Sequence, residues 1–221
     1  MILKYLKKKT SNHLKITIRN FYNRFLAFLS WDPWINFSYS QEGEDILLKR
    51  IFKNKKNGFY VDVGAHHPKR FSNTNIFYQM GWRGINIDPM PSSMDLFKRY
   101  RPRDINLEFG VAKKKGIMKY YIFNDPALNS FQRHYLRKQK KKDLYFIKET
   151  INVKIIPLSK ILHSYAKKQK IDFLNVDAEG LDLIVLKSND WKKFRPKIVI
   201  AEIPESDLKN INKNPIVKFM K

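Results

Sequence analysis

Short apolar runs alternate with segments of helical periodicity along most of this chain. The apolar runs that predict strands are Phe59–Val63, Gly84–Ile87, Ile105–Phe109, Met118–Phe123, Val153–Ile156, Phe173–Val176 and Ile198–Ala201. The segments with helical spacing are Gln41–Phe52, Asn73–Met80, Ser92–Tyr100 and Leu158–Lys168. This alternation predicts an α/β fold, with a doubly wound and mostly parallel sheet that carries helices on both faces.

Two consecutive predicted strands end in an acid. The first run reaches Asp62 and is followed by Gly64, and the second ends in Asp88. In such a β-α-β unit ligands bind beyond the carboxyl ends of the strands, and an acid after the second strand suits the hydroxyls of a ribose. The alternative is a pair of ordinary buried strands whose terminal aspartates are only solvated.

The turn after the first of these strands argues against a dinucleotide. It reads Gly-Ala-His-His-Pro over residues 64–68, with one glycine where the phosphate-binding pattern G-x-G-x-x-G needs several. His66 stands where a pyrophosphate requires close approach of the backbone. The turn therefore favours a nucleoside cofactor without a phosphate, for which S-adenosylmethionine is the leading candidate.

Three blocks of the sequence resemble FkbM-type methyltransferases. They are Ser38–Asp45, Gly58–Pro91 and Asp172–Asp182, and together they anchor a resemblance over about residues 38–204. The resemblance implies a Rossmann-like class I methyltransferase fold, S-adenosylmethionine as cofactor and methylation of a hydroxyl group. It also implies that the acceptor is a saccharide, a glycan precursor or a similar small molecule.

Within this frame the cofactor should lie against the ends of the first three strands and the segment before them. The residues that we expect to contact it are Gln41, Asp62, Gly64, Ala65, Asp88, Glu108 and Gly110. The family's fold continues after its fifth strand with an antiparallel strand pair. Only 214–219 offers a further short strand here, so we expect that pair to be incomplete.

Methyl transfer to a hydroxyl needs an aligned acceptor and a group that takes its proton. Asp177 and Glu179 follow the Phe173–Val176 strand and should face the cleft, where Gly180 permits a turn. Glu179 could instead be a helix-start carboxylate that meets the helix dipole. His66 is a third candidate catalytic residue and His67 an alternative, since histidine titrates near neutral pH. A cation held by these acids and a histidine is a further hypothesis, but the spacing does not require one and we expect no metal.

Composition narrows the function classes. The chain has 221 residues, enough for one α/β domain, and no cysteine, which excludes disulfides and thiolate metal sites. Its formal net charge is +24, with 44 Lys and Arg against 20 Asp and Glu. Such a charge attracts nucleic acid, acidic lipid or anionic glycan, although solvated lysines of a lysine-rich composition would give the same count.

Two other functions remain as alternatives to a saccharide O-methyltransferase. One is an RNA-directed methyltransferase or nucleic-acid binder, which the charge suggests; no recognisable nucleic-acid module or aromatic platform is present, so we expect no nucleic-acid partner. The other is a non-catalytic, truncated methyltransferase-like scaffold, which the short C-terminal region suggests.

Residues 1–37 form a basic arm that precedes the predicted methyltransferase domain, residues 38–221. Phe21, Phe25, Phe28 and Leu29 share one face of a helical pattern, so residues 1–30 could bind peripherally to an anionic membrane. The alternative is a helix that packs on its own domain or on a second subunit in a homo-oligomer. No apolar run reaches the roughly 18 residues of a membrane span. The predicted location is the cytoplasm, peripheral to the inner face of the membrane.

Between residues 124 and 150 the pattern of elements breaks down. This segment contains Arg133, His134 and Arg137, and four lysines follow at 138 and 140–142. It could fold over the acceptor as a lid, or it could be a solvated loop.

Overall fold

The computed structural model describes residues 17–22, 35–133, 144–203 and 208–221. The chain divides into two units, residues 1–37 and 38–221. In the first unit residues 17–22 are helical, and Phe21 and Tyr22 are exposed there. The other residues of the predicted amphipathic face, Phe25, Phe28 and Leu29, lie outside the described residues.

The second unit contains alternating strands and helices. The strands are β1 (Phe59–Val63), β2 (Arg83–Asp88), β3 (Ile105–Glu108), β4 (Gly110–Val111), β5 (Gly116–Phe123), β6 (Ile147–Ile156), β7 (Phe173–Val176) and β8 (Ile198–Ala201). The helices are α1 (Glu44–Ile51), α2 (Asn75–Gln79), α3 (Ser93–Tyr100), α4 (Leu158–Tyr165), α5 (Asp182–Lys187) and α6 (Pro215–Met220). Two 3₁₀ segments, Pro126–Leu128 and Leu208–Lys213, complete the described elements.

Five of the strands form a parallel sheet in the order β3-β2-β1-β7-β8. This sheet and its helices confirm the predicted α/β, Rossmann-like fold. The predicted strands at 118–123 and 153–156 belong to a separate sheet of order β4-β6-β5, in which β5 and β6 form a long antiparallel ribbon. The sequence pattern showed these strands but not that they leave the main sheet, because strand partners are distant in sequence.

The central strand β1 is buried along its whole length, as expected for a strand covered on both faces. On one face Val61 and Val63 belong to an apolar cluster that includes Leu162 of α4. On the other face Tyr60 packs in a second cluster with Phe77 of α2. The period of two along the strand therefore sends neighbouring side chains into opposite layers of the domain.

The C-terminal region differs from its prediction. Residues 214–219 were expected to supply a short strand, but the structure has the helix α6 there. Asn214 caps this helix, since its side-chain Oδ1 accepts a hydrogen bond from the backbone N–H of Ile216 at 2.8 Å. Pro215 occupies the first helical turn, where its missing N–H costs nothing. In the described residues after β8 no strand follows, so neither strand of the C-terminal pair is present there.

The described part of the chain contains no helix that is long and apolar enough to cross a membrane.

Candidate active site

A cleft opens at the carboxyl ends of the central strands of the main sheet. The residues that line it are Gln41, Val63, Gly64, His66, Phe71, Ile87, Asp88, Pro89, Phe109, Gly110, Val111, Tyr120, Pro126, Ala127, Asn129, Phe131, Asp177, Ala178 and Glu179. The cleft has a volume of about 90 Å³. Ligand pockets commonly measure roughly 300–1,000 Å³, so a nucleoside would extend from this volume into the solvent at the mouth of the cleft.

Asp88 is a buried carboxyl group at the end of β2. Its Oδ2 accepts a hydrogen bond from the backbone N–H of His66 at 2.9 Å, and its Oδ1 accepts one from the backbone N–H of Met90 at 2.9 Å. Burial raises the pKa of Asp88 to about 6, although these two N–H groups favour the charged form. Each oxygen keeps a further lone pair for a ligand hydroxyl.

Gly64 lets the ends of β1 and β7 come close together. Its φ is 81°, and a Cβ atom at this position would collide with the backbone oxygen of Asp177. Val63 pairs with Ile87 on one side and with Val176 on the other. One position further along each strand, Asp88, Gly64 and Asp177 therefore form a row across the edge of the sheet.

Asp177 and Glu179 place two more carboxyl groups in the cleft. The Asp177 residue is exposed to solvent and lines the cleft, while many protein atoms lie around its carboxyl group. This burial raises the pKa of Asp177 well above its usual value, and the neighbouring Glu179 and Glu202 carboxylates raise it further. Asp177 is thus a stronger base than an ordinary aspartate.

The turn that carries Glu179 has an unusual backbone that other residues hold in place. Glu179 and Gly180 both have positive φ, 46° and 92°. The Ser130 hydroxyl donates to the Glu179 carbonyl oxygen at 2.8 Å, and the Gln132 side-chain amide donates to the Gly180 carbonyl oxygen at 2.8 Å. The Asp182 carboxylate accepts from the backbone N–H of Gly180 at 3.2 Å. These bonds hold the backbone of the turn that carries Glu179 and offset the strain of a left-handed non-glycine residue.

The two adjacent histidines have different surroundings. His66 lines the cleft, and burial, with the nearby Arg70 guanidinium, lowers the pKa of its imidazole. His67 instead accepts hydrogen bonds through Nδ1 from the backbone N–H groups of Lys69 and Arg70, at 3.0 and 2.9 Å. A neutral His66 is therefore available as a proton acceptor, while Nδ1 of His67 holds its own loop.

Gln41 reaches the cleft because a buried aspartate organises the segment before α1. The Asp45 carboxylate accepts hydrogen bonds from the Ser38 hydroxyl at 2.7 Å and the Tyr39 backbone N–H at 2.8 Å. The Tyr39 carbonyl oxygen then accepts from the backbone N–H of Ser72 at 2.9 Å. These contacts join the first block of the sequence resemblance to the second.

Several cleft residues come from the second sheet and the turn after it, which sequence analysis did not assign to the site. They are Tyr120 of β5 and, further along, Pro126, Ala127, Asn129 and Phe131. They fall partly within the basic segment 124–150, whose described part thus borders the cleft. His134 and Arg137, with the lysines at 138 and 140–142, lie outside the described residues. Alternation along β5, with Tyr120 buried between Lys119 and Tyr121, was the available signal for an inward-facing ring.

Three of the residues expected to contact the cofactor do not line the cleft. Asp62 is 2% exposed, and its carboxylate accepts hydrogen bonds from the Thr74 hydroxyl at 2.7 Å and the Asn175 amide at 2.9 Å. Its partner in β2 is Asn86, two residues before Asp88, so Asp62 lies one layer deeper in the sheet. Ala65 packs with Met94 and Phe97 of α3, and Glu108 is exposed at the end of β3.

The other predicted residues converge on the cleft. Those that line it are Gln41, Gly64, His66, Asp88, Gly110, Asp177 and Glu179. Among the described residues no cluster of three or more His, Asp or Glu side chains has the arrangement of a metal site.

Comparison with known proteins adds one finding to this geometry. The family model described as the methyltransferase FkbM domain matches residues 62–213. This span contains Asp88, Asp177 and the turn with Glu179. No curated protein and no solved structure matches the chain.

Proposed function

Because the chain belongs to the FkbM methyltransferase family, we propose that it transfers a methyl group from S-adenosylmethionine to a hydroxyl of a saccharide, a glycan precursor or a similar small molecule. The observation that supports this proposal is the row of strand ends in the cleft. It holds Asp88 at one position and Asp177 at another, with glycine between them, and Glu179 projects from the following turn.

The residues present fit this cofactor. Asp88 offers unused lone pairs for two ribose hydroxyls. Phe109, Tyr120 and Phe131 provide apolar walls of the kind that an adenine ring packs against. When bound, S-adenosylmethionine would supply a methyl group on a cationic sulfur, and the carboxyl groups of the cleft match that charge.

The remaining chemistry belongs to side chains of this chain. Asp177 or Glu179 accepts the proton of the acceptor hydroxyl, and the raised pKa of Asp177 brings it closer to the neutral range in which a general base works well. The hydrogen bonds on the 179–180 turn hold the backbone from which Glu179 projects, and alignment of an in-line transfer requires such a fixed support. A neutral His66 is the alternative base.

Cofactor affinity should rise with pH through about 6. The carboxylate form of Asp88 is the one that accepts ribose hydroxyls, and the free protein holds a proton there below that pH. Calorimetry should therefore show proton release on binding near pH 6, and NAD should not bind. Asp88→Asn should lose roughly tenfold to a hundredfold in affinity at pH 8 and also lose this pH dependence.

The matched control for this experiment is Asp95→Asn, on an exposed carboxylate that pairs with Lys98. It should bind the cofactor as the wild type does. Unchanged binding by a folded Asp88→Asn protein would remove Asp88 from the cofactor site.

The basic arm is proposed as a peripheral anchor on an anionic membrane surface facing the cytoplasm. Each Lys or Arg near such a surface contributes about 1 kcal/mol. Changing Lys7, Lys8 and Lys9 together to glutamate should weaken co-sedimentation of the full chain with anionic vesicles roughly a hundredfold or more at low salt. A change of oligomeric state with unaltered vesicle binding would instead identify the arm as a subunit contact.

A further inference from the structure

Apolar side chains are exposed beside the opening of the cleft. Leu144 is 65% exposed, Phe146 is 60% exposed and Phe71 is 41% exposed. Exposed apolar residues are common when they stand singly, but several large ones on segments that border one binding cleft indicate an interaction surface. We call these three residues the apolar rim.

Hydrogen bonds attach the apolar rim to the wall of the cleft. The side-chain amide of Asn124 donates to the Leu144 carbonyl oxygen at 3.0 Å, and its Oδ1 accepts from the Phe146 backbone N–H at 3.0 Å. Asn124 stands just before Pro126 and Ala127, which line the cleft. Phe71 lines the cleft itself, on the loop that follows His66.

Positive charge accompanies the apolar rim. Lys69, Arg70, Arg133 and Lys148 are exposed on the segments that border the cleft. The Arg70 guanidinium lies 4.5 Å from the centre of the Phe71 ring, so a cation and an apolar group are presented together. The acids of the same segments are Asp125, whose Oδ1 accepts from the Ala127 backbone N–H at 3.1 Å, and the exposed Glu149. Among the described residues of these segments the cations therefore outnumber the acids.

We propose that the apolar rim and its flanking cations seat the mouth of the cleft on an anionic lipid surface. Exposed Leu and Phe side chains flanked by Lys and Arg are the composition by which proteins lie in a membrane interface. Resting on the proposed function, the acceptor is then a hydroxyl of a lipid-borne saccharide, which reaches the cleft from the membrane plane.

Other occupants fit these observations less well. A second copy of the chain also has a net charge of +24, so its approach to this basic face would be opposed by like charge. A single-stranded nucleic acid binds on aromatic side chains that stack with its bases, and Leu144 offers no such ring. A lipid surface satisfies both the aliphatic and the aromatic members of the apolar rim, and its anionic headgroups match the cations.

The test measures co-sedimentation of the full chain with phosphatidylglycerol–phosphatidylcholine vesicles. The double variant Leu144→Ser/Phe146→Ser should bind roughly tenfold or more weakly, because two apolar side chains no longer enter the interface. Arg70→Gln/Lys148→Gln should weaken binding to these vesicles and leave weak binding to pure phosphatidylcholine unchanged.

A lipid extract should accept labelled methyl from S-adenosylmethionine, and the water-soluble fraction should not.

The matched control is Ile117→Ser, which removes an apolar side chain that is 73% exposed at the opposite end of β5. Its vesicle binding should equal that of the wild type. Equal binding by the rim double variant, an equal loss in Ile117→Ser, or loss only in the variant of the basic arm would overturn the proposal. So would a rim double variant that loses affinity for single-stranded RNA and keeps it for vesicles.

Cofactor calorimetry on the same proteins separates the two proposals, since a chain that docks on vesicles but binds no S-adenosylmethionine contradicts only the proposed function.

Discussion

Replacing Arg101 with methionine is expected to lower the free energy of unfolding by about 3–5 kcal/mol. The Arg101 side chain is fully buried, and its Nε donates to the Asp104 carboxylate at 2.9 Å. Its other nitrogens donate to the Thr74 hydroxyl at 2.9 Å, the Tyr60 hydroxyl at 2.7 Å and the Asn86 side-chain oxygen at 2.8 Å. Methionine has a similar length, but it leaves the buried Asp104 carboxylate without its cation and the other three acceptors without the guanidinium donor. Urea denaturation with linear extrapolation measures the effect.

The control for Arg101 is Arg99→Met, because Arg99 is an exposed arginine in the last turn of α3, two residues before Arg101. It should change the free energy of unfolding by less than about 0.5 kcal/mol. Adding Asp104→Asn to Arg101→Met should recover part of the loss, since it removes the uncompensated charge, and the double-mutant cycle gives the coupling. A loss below about 1 kcal/mol in Arg101→Met would show that water or a rearrangement satisfies the network.

Conversion of the cleft acids to amides is expected to reduce turnover while cofactor affinity is kept. If Asp177 or Glu179 takes the acceptor proton, the corresponding Asn or Gln variant should lose roughly 10²–10⁴-fold in rate. Because the pKa of Asp177 is raised, wild-type activity should fall as pH drops through a range above that of an ordinary aspartate. Asp177→Asn should remove this acid limb if Asp177 is the base. Transfer of labelled methyl from S-adenosylmethionine gives the rate, and calorimetry gives the affinity.

Two comparisons make this result interpretable. Glu149→Gln changes an exposed carboxylate of β6 that does not line the cleft, and it should retain full turnover. Ser130→Ala leaves Glu179 in place but removes a hydrogen bond from its turn, so it should lower turnover less than Glu179→Gln does. Full activity of both amide variants would transfer the role of base to His66.

The sequence alone was sufficient for the five strands of the main sheet and for the end of that sheet at which the site lies. Apolar runs that end in Asp88 and just before Asp177 predict buried parallel strands, and parallel strands bring their carboxyl ends to one edge. Gly64 and His66 follow β1 at that same edge. Their convergence therefore required no knowledge of which strands are neighbours.

The role of Asp62 was decided by strand register. Asp62 is paired with Asn86 of β2 and Asn175 of β7, and Asn86 is paired in turn with Asn106 of β3. These residues form one polar row across four strands, below the edge where Asp88 lies. Asp62 lies level with Asn86, two residues before Asp88, and this offset keeps its side chain out of the cleft. Only the alignment of the neighbouring strands reveals the offset.

What the tertiary structure alone decided is the set of long-range partners. The local pattern of a segment records which of its faces is apolar, but it does not record which distant segment covers that face. The second sheet brings Tyr120, Asn129 and Phe131 to a cleft built by other strands, and Ser130 bonds to the turn at Glu179, 49 residues away in the chain. The guanidinium of Arg101 donates hydrogen bonds to Tyr60, Thr74 and Asn86, and these contacts exist only after the sheet and helices have packed. The sequence by itself therefore determined which acidic side chains stand at the strand ends. The burial that raises the pKa values of Asp88 and Asp177 arises instead from packing between segments far apart along the chain.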